Sequence, residues 1–214
     1  MRWLPGFRPR LARGVFVLCA LLTAASPLHA ADPLRVLLLV DSSSNMAPLL
    51  TDFRAGLNAF VDALPETVEV TLVSTGGQLR IRVPPTTDRE RLKKGISVFS
   101  SDGGANSLLD TLLESDKRLL KSASDRRPLV VALSTDQQQR GEQRIDEYNS
   151  FMRDFVRRGG HAHALIVRGT YMGQASEILE NLTSNTDGLF SVMAVGNALP
   201  VKMREIAEQV AAQE

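Results

Sequence analysis

The chain has 214 residues, of which 43% are hydrophobic, 5% aromatic and 23% charged, proportions of an ordinary globular protein that exclude collagen, coiled coil and wholesale disorder. One domain of about 180 residues remains once a leader is set aside, enough for a single core and too little for two domains with a linker. The formal charge of +1 includes Arg2, Arg8, Arg10 and Arg13, and the first thirty residues hold no acid, so removing those four leaves −3. With that balance and no basic stripe, nucleic acid and anionic membrane surfaces are excluded as partners.

Residues 1–13 are Arg-rich, Gly14 to Ala25 is apolar, and Ser26-Pro27-Leu28-His29-Ala30 ends on a small residue. That order predicts a secretory signal peptide over 1–30, cleaved after Ala30, with the domain over 31–214. The apolar run is about twelve residues, short of the roughly twenty that span a bilayer, so no stable membrane span is expected after cleavage. The single cysteine, Cys19, lies inside that run without the small residue before it that a lipoprotein signal needs. The expected product is exported, periplasmic or secreted, soluble and free of disulfides.

Leu34 to Val40 is an apolar run of strand length, suited to a strand covered on both faces, and it stops at Asp41. From Leu49, apolar residues at Phe53, Leu57, Phe60, Val61 and Leu64 describe one face of a helix ended by Pro65. Val68 to Ser74 and Gln78 to Val83 alternate around Gly76-Gly77, a hairpin pattern that Pro84-Pro85 is expected to break. Helices are expected over 88–98 and 107–121, separated by a flexible loop at 100–106. Leu129 to Leu133 is a second apolar strand that stops at Ser134-Thr135-Asp136. A helix then carries Ile145, Tyr148, Met152 and Phe155, and Gly159-Gly160 closes it. The remaining elements are a strand over His161 to Val167, a helix over 173–185, a short strand over Leu189 to Val192 and a terminal helix marked by Leu199, Met203, Ile206 and Val210.

Strands alternating with helices imply an α/β fold: a doubly wound, mostly parallel sheet with one antiparallel edge strand and helices on both faces. Ligands of such folds bind beyond the carboxyl ends of the strands, where the strand order reverses, and Asp41 and Asp136 are both expected there. Asp41, Ser43 and Asn45 place hard oxygen donors at alternate positions of a tight turn, and Asp136 and the 102–107 loop are positioned to add more. An oxygen-only set of this kind suits Mg²⁺ or Mn²⁺ and does not suit zinc.

VLLLVDSSSNM, then DGGANSLLDTLL, then LVVALSTDQ, and finally NTDGLF and NALPVKMREIA resemble, in order and spacing over 34–213, the von Willebrand factor type A domain. The resemblance implies a metal-ion-dependent adhesion site built from Asp-x-Ser-x-Ser, a Thr from a later loop and an Asp after the fourth strand. A carboxylate of a protein partner often completes the ion's shell in that family. Carried over, the Asp and first Ser fall on Asp41 and Ser43 and the last Asp on Asp136. The second Ser is replaced by Asn45, the Thr by Ala105, and the Gly after the last Asp by Gln137. Ser107 or a water would have to stand in for the Thr, or the site is lost. The expected function is a non-enzymatic module that grips a protein partner, with Mg²⁺ or Mn²⁺ or as a metal-independent scaffold.

Other readings have less behind them. A hydrolase lacks the Gly-x-Ser-x-Gly elbow and a histidine near Ser43, and a phosphate-accepting receiver lacks the acidic pair before Asp41. His161 and His163 share a strand face, but two ligands do not make a metal site. Ser43, Ser44 or Asn45 also suits the cap of the following helix, and Asp136 that of its own. Asn181-Leu182-Thr183 matches a glycosylation sequon by chance-level spacing alone.

Overall fold

A computed structural model describes residues 33–123, 125–136, 144–168 and 173–212. The leader expected over 1–30 and the Gln137 to Arg140 run fall outside the described residues. Strands β1 (Leu34–Val40), β2 (Glu69–Ser74), β3 (Arg80–Thr86), β4 (Arg127–Thr135), β5 (His161–Val167) and β6 (Phe190–Met193) form one sheet in the order β3-β2-β1-β4-β5-β6. All neighbours are parallel except β2 and β3. The helices are α1 (Leu50–Ala63), α2 (Arg89–Ser97), α3 (Leu108–Ser115), α4 (Ile145–Arg157), α5 (Gln174–Ser184) and α6 (Leu199–Ala211). Among the described residues no helix is long and apolar enough to cross a membrane.

The central strands carry long apolar runs, Val36–Val40 in β1 and Leu129–Leu133 in β4, because both faces are covered. Val36, Leu38 and Val40 of β1 join Phe53, Leu57 and Phe60 of α1 and Met203 and Ile206 of α6. Leu37 and Leu39 point the other way, into a cluster with Leu112 of α3, Phe151 and Phe155 of α4 and Leu179 of α5. Phe53, Phe60 and Phe155 are fully buried, and truncating any one to alanine is expected to cost about 3–5 kcal/mol.

Two boundaries depart from expectation. Strand β3 runs on through Pro84-Pro85 to Thr86, with irregular register against β2 around Leu72. Proline is tolerated there because β3 is the sheet edge and its missing N–H deprives no further strand. Helix α3 stops at Ser115 and continues as a π turn over Asp116–Leu120. Within that turn Asp116 is buried against Arg158 Nη2 at 2.5 Å and Lys121 Nζ at 3.6 Å, and the Leu119 carbonyl accepts from Arg35.

Candidate functional site

The strand order reverses between β1 and β4, so the crevice for a ligand opens beyond Asp41 and Asp136. Three loops are stitched together at this crest. The Asp102 N–H donates to the Ser42 carbonyl (2.7 Å), Ser44 N–H to Gly104 (3.1 Å), Gly77 N–H to Ala105 (2.9 Å) and Ser107 N–H to Thr75 (2.9 Å). Gly76 N–H donates to Ser42 Oγ at 2.8 Å. A Cβ on Gly76 would sit 2.6 Å from the Ser42 carbonyl oxygen, which is why the hairpin needs glycine at this place.

Asp41 is 1% exposed. Its Oδ1 accepts the Ser43 N–H at 2.8 Å, and its Oδ2 accepts the Thr135 N–H at 3.0 Å and the Thr135 hydroxyl. Ser43 is buried and precedes a 3-10 turn over Ser44–Leu49 that its side chain does not cap. Asn45 is exposed. The Ser107 hydroxyl donates to the Gly77 carbonyl at 3.1 Å. Asp136 is buried, and its Oδ1 accepts from Gly173 N–H (2.9 Å) and Ser176 Oγ (2.7 Å) at the start of α5. It therefore serves α5 and not α4, the helix that follows it in the chain. Its Oδ2 is buried with no hydrogen-bond partner among the described residues. Asp41, Ser43 and the 102–107 loop thus come together, Asn45 faces solvent, and Asp136 is engaged by α5. No group of three His, Cys, Asp or Glu side chains placed to hold a metal occurs among the described residues.

The sequence reading missed the group that fastens the crest. The Asp102 side chain, 5% exposed, accepts from Ser42 Oγ (2.7 Å), Ser74 Oγ (3.1 Å), Arg80 Nη1 (2.8 Å) and the Arg82 guanidinium. The Arg82 guanidinium also lies over the Phe99 ring at 5.5 Å. Burial pushes the Asp102 pKa up, but the bonds from Ser42 and Arg82 outweigh it and hold the carboxyl below its ordinary range. The signal was available: arginines two apart at the start of β3 share a strand face at the carboxyl end of the parallel sheet. Asn106, also missed, spans the crest by accepting from Thr75 Oγ1 (2.6 Å) and donating to Ser134 Oγ (2.9 Å).

The two strand histidines are used locally. His161 Nδ1 lies 2.9 Å from the Thr186 carbonyl, and His163 Nδ1 accepts the Leu189 N–H at 3.1 Å. Burial, with the neighbouring His161 second, pushes His163 down to about 4. Asn181 of the sequon lies within α5 and accepts from Tyr148 Oη at 2.9 Å.

Residues 36–138, from β1 through the crest loops to Asp136, match the von Willebrand factor type A domain. This part of the chain is a von Willebrand factor type A domain. Solved structures agree on the fold. A von Willebrand factor type A protein from Catenulispora acidiphila superposes with a TM-score of 0.67 at 15% identity, covering 85% of this chain and 43% of that one. Proximal thread matrix protein 1 of the mussel byssus, with a zinc-occupied metal-ion-dependent adhesion site, gives 0.68 at 16% identity over 85% and 46%. BatB of Bacteroides thetaiotaomicron gives 0.64 at 12% identity over 85% and all of that chain. The chain spans less than half the length of the first two of these proteins. No curated protein matches the sequence. The von Willebrand factor type A family is one of protein-interaction modules, and in the mussel protein zinc occupies the metal-ion-dependent adhesion site.

Proposed function

We propose that this chain is an exported, non-enzymatic binding module whose crest docks a protein partner without an ion. One observation carries the reading. The Asp41 carboxylate that the family resemblance assigns to the ion is already covered by Ser43 N–H and by both donors of Thr135. The rest of the donor set fits Mg²⁺ or Mn²⁺ poorly. Ala105 has no side-chain donor, the Ser107 hydroxyl is turned to Gly77, and Asp136 Oδ1 is bonded to the start of α5. An exposed Asn45 amide and Asp136 Oδ2, even with Ser43, are too few for the octahedral oxygen shell these ions require. The Arg82–Asp102–Ser42 cluster holds together the loops an ion would otherwise brace. Export rests on the order of charge and apolarity in residues 1–30, followed by a domain over 31–214. Asp136 Oδ2, buried without a described partner, favours the competing reading of an ion-assisted site at this crest.

Photo-cross-linking tests the proposal. A benzophenone amino acid at Asn45 or at exposed Ser44 is expected to capture partner proteins equally with and without EDTA, and one at Glu208 on α6 is expected to capture none of them. Adducts that vanish on chelation, or that form equally from Glu208, would overturn it.

A further inference from the structure

A groove of about 450 Å³ runs between α3 with its π turn and α4, within the roughly 300–1,000 Å³ of ordinary binding sites. The π turn leads to the start of β4 and α4 to the start of β5. The groove therefore lies toward the amino ends of the strands, away from the crest at their carboxyl ends. Its floor is apolar: Leu113 and Phe151 line it, both nearly buried, and the Phe151 ring is stacked on Phe155 with centroids 5.2 Å apart. The acids of the lining are already engaged. Asp116 and Asp154 hold Lys121, Arg157 and Arg158 between them, and Arg144 donates to both oxygens of Glu147. Three cations of the same lining are not. Lys117, with a side chain 59% exposed, has one long contact, 3.9 Å to Glu147. Arg157, 78% exposed, bonds Asp154 through Nη2, and a guanidinium has five N–H donors. Arg153 is exposed and makes no ion pair or side-chain hydrogen bond among the described residues. The groove thus combines an apolar floor with a rim whose unspent charge is positive, Lys117 on the π-turn wall and Arg153 and Arg157 on the α4 wall.

We infer that this groove is a second docking site, which takes an acidic segment of a partner protein with an apolar side chain set between its acids. The apolar side chain lies on Leu113 and Phe151, and the flanking carboxylates meet Lys117 on one wall and Arg153 and Arg157 on the other. The site is separate from the crest and does not depend on how the crest docks its partner. Charge complementarity selects the occupant. A wholly apolar segment would desolvate three cations without return, and a nucleic acid, whose phosphates form a continuous line, would run against Glu147 in the rim. Exposed ion pairs are each worth little, so affinity is shared between rim and floor and both are needed.

The probe is the peptide acetyl-Glu-Asp-Leu-Asp-Glu-amide, titrated into the ¹⁵N-labelled protein. Saturable shifts are expected at the amides of Leu113, Lys117, Phe151 and Arg153, and none at Ser43 or Gly104 of the crest. The neutral peptide acetyl-Gln-Asn-Leu-Asn-Gln-amide should give no saturable response, and acetyl-Glu-Asp-Gly-Asp-Glu-amide should bind about fivefold more weakly, for want of the leucine on the floor. Lys117→Gln and Arg153→Gln should each weaken binding about threefold, the loss of one exposed ion pair. Neither side chain holds the fold together, so both variants should keep the urea midpoint of the parent. No saturable response, shifts centred on the crest, equal binding of the neutral or the glycine peptide, or binding that both variants leave unchanged would each overturn the inference.

Discussion

Replacing Asp102 by asparagine tests whether the arginine cluster fastens the crest. The substitution keeps the volume and removes the charge that Arg80, Arg82, Ser42 and Ser74 share. Breaking a fully buried ion pair costs about 3–5 kcal/mol because the surviving charge is stranded. Here the Arg82 side chain is 22% exposed and the Arg80 side chain 51%, so both recover some hydration and the Arg80 contact is worth under about 1 kcal/mol. Asparagine still offers one acceptor oxygen. The expected loss is therefore about 2–3 kcal/mol, read as a lower urea midpoint at unchanged slope and a melting temperature lower by roughly 5–10 °C. Asp62→Asn is the control, since Asp62 pairs with Lys93 at a surface where the two side chains are 54% and 41% exposed, and an unchanged urea midpoint is expected there. The pH dependence has a defined sign. With its pKa depressed in the fold, Asp102 contributes stability that is fully present above the unfolded carboxyl value and is lost as pH falls through the folded one. An Asp102→Asn variant no less stable than Asp62→Asn would refute the cluster's role.

Two further outcomes follow from the geometry. Gly76→Ala should destabilise by about 1–3 kcal/mol through its contact with the Ser42 backbone, with the largest amide shifts at 41–44, whereas shifts centred elsewhere would contradict the close approach. His163 is neutral in the fold, pushed down to about 4 by burial, while the unfolded chain takes up the proton near its ordinary value, so its stabilisation is present above about pH 6.5 and lost as pH falls towards about 4. The loss should reach about 2–3 kcal/mol by pH 4.5 in urea unfolding, and His163→Gln should flatten that slope. An equal slope in the variant would count against it.

The sheet was legible because burial on both faces writes continuous apolar runs, and β1 ends at Asp41 as its pattern implies. Expectation failed where tertiary placement overrides local pattern. Pro84-Pro85 reads as a breaker until β3 is known to be an edge. Asp136 reads as a ligand or a cap for α4, and only the fold brings the start of α5 to its Oδ1. The donor spacing of Asp41, Ser43 and Asn45 is visible in the chain, but the covering of Asp41 by Thr135, ninety-four residues away, is not. Arginines at alternate strand positions were visible, and their target Asp102 sits in a loop whose path no periodicity specifies.

Calorimetric titration of Mg²⁺ and then Mn²⁺ into the protein tests ion-free docking most directly. A readout by heat suits a chain whose single tryptophan is Trp3, far in sequence from Asp41. No saturable heat is expected up to millimolar ion, because Asp41 is covered by Ser43 and Thr135 and Asp136 Oδ1 is engaged by α5. Saturable one-to-one binding by the unaltered chain, abolished in Asp41→Ala, would contradict the account.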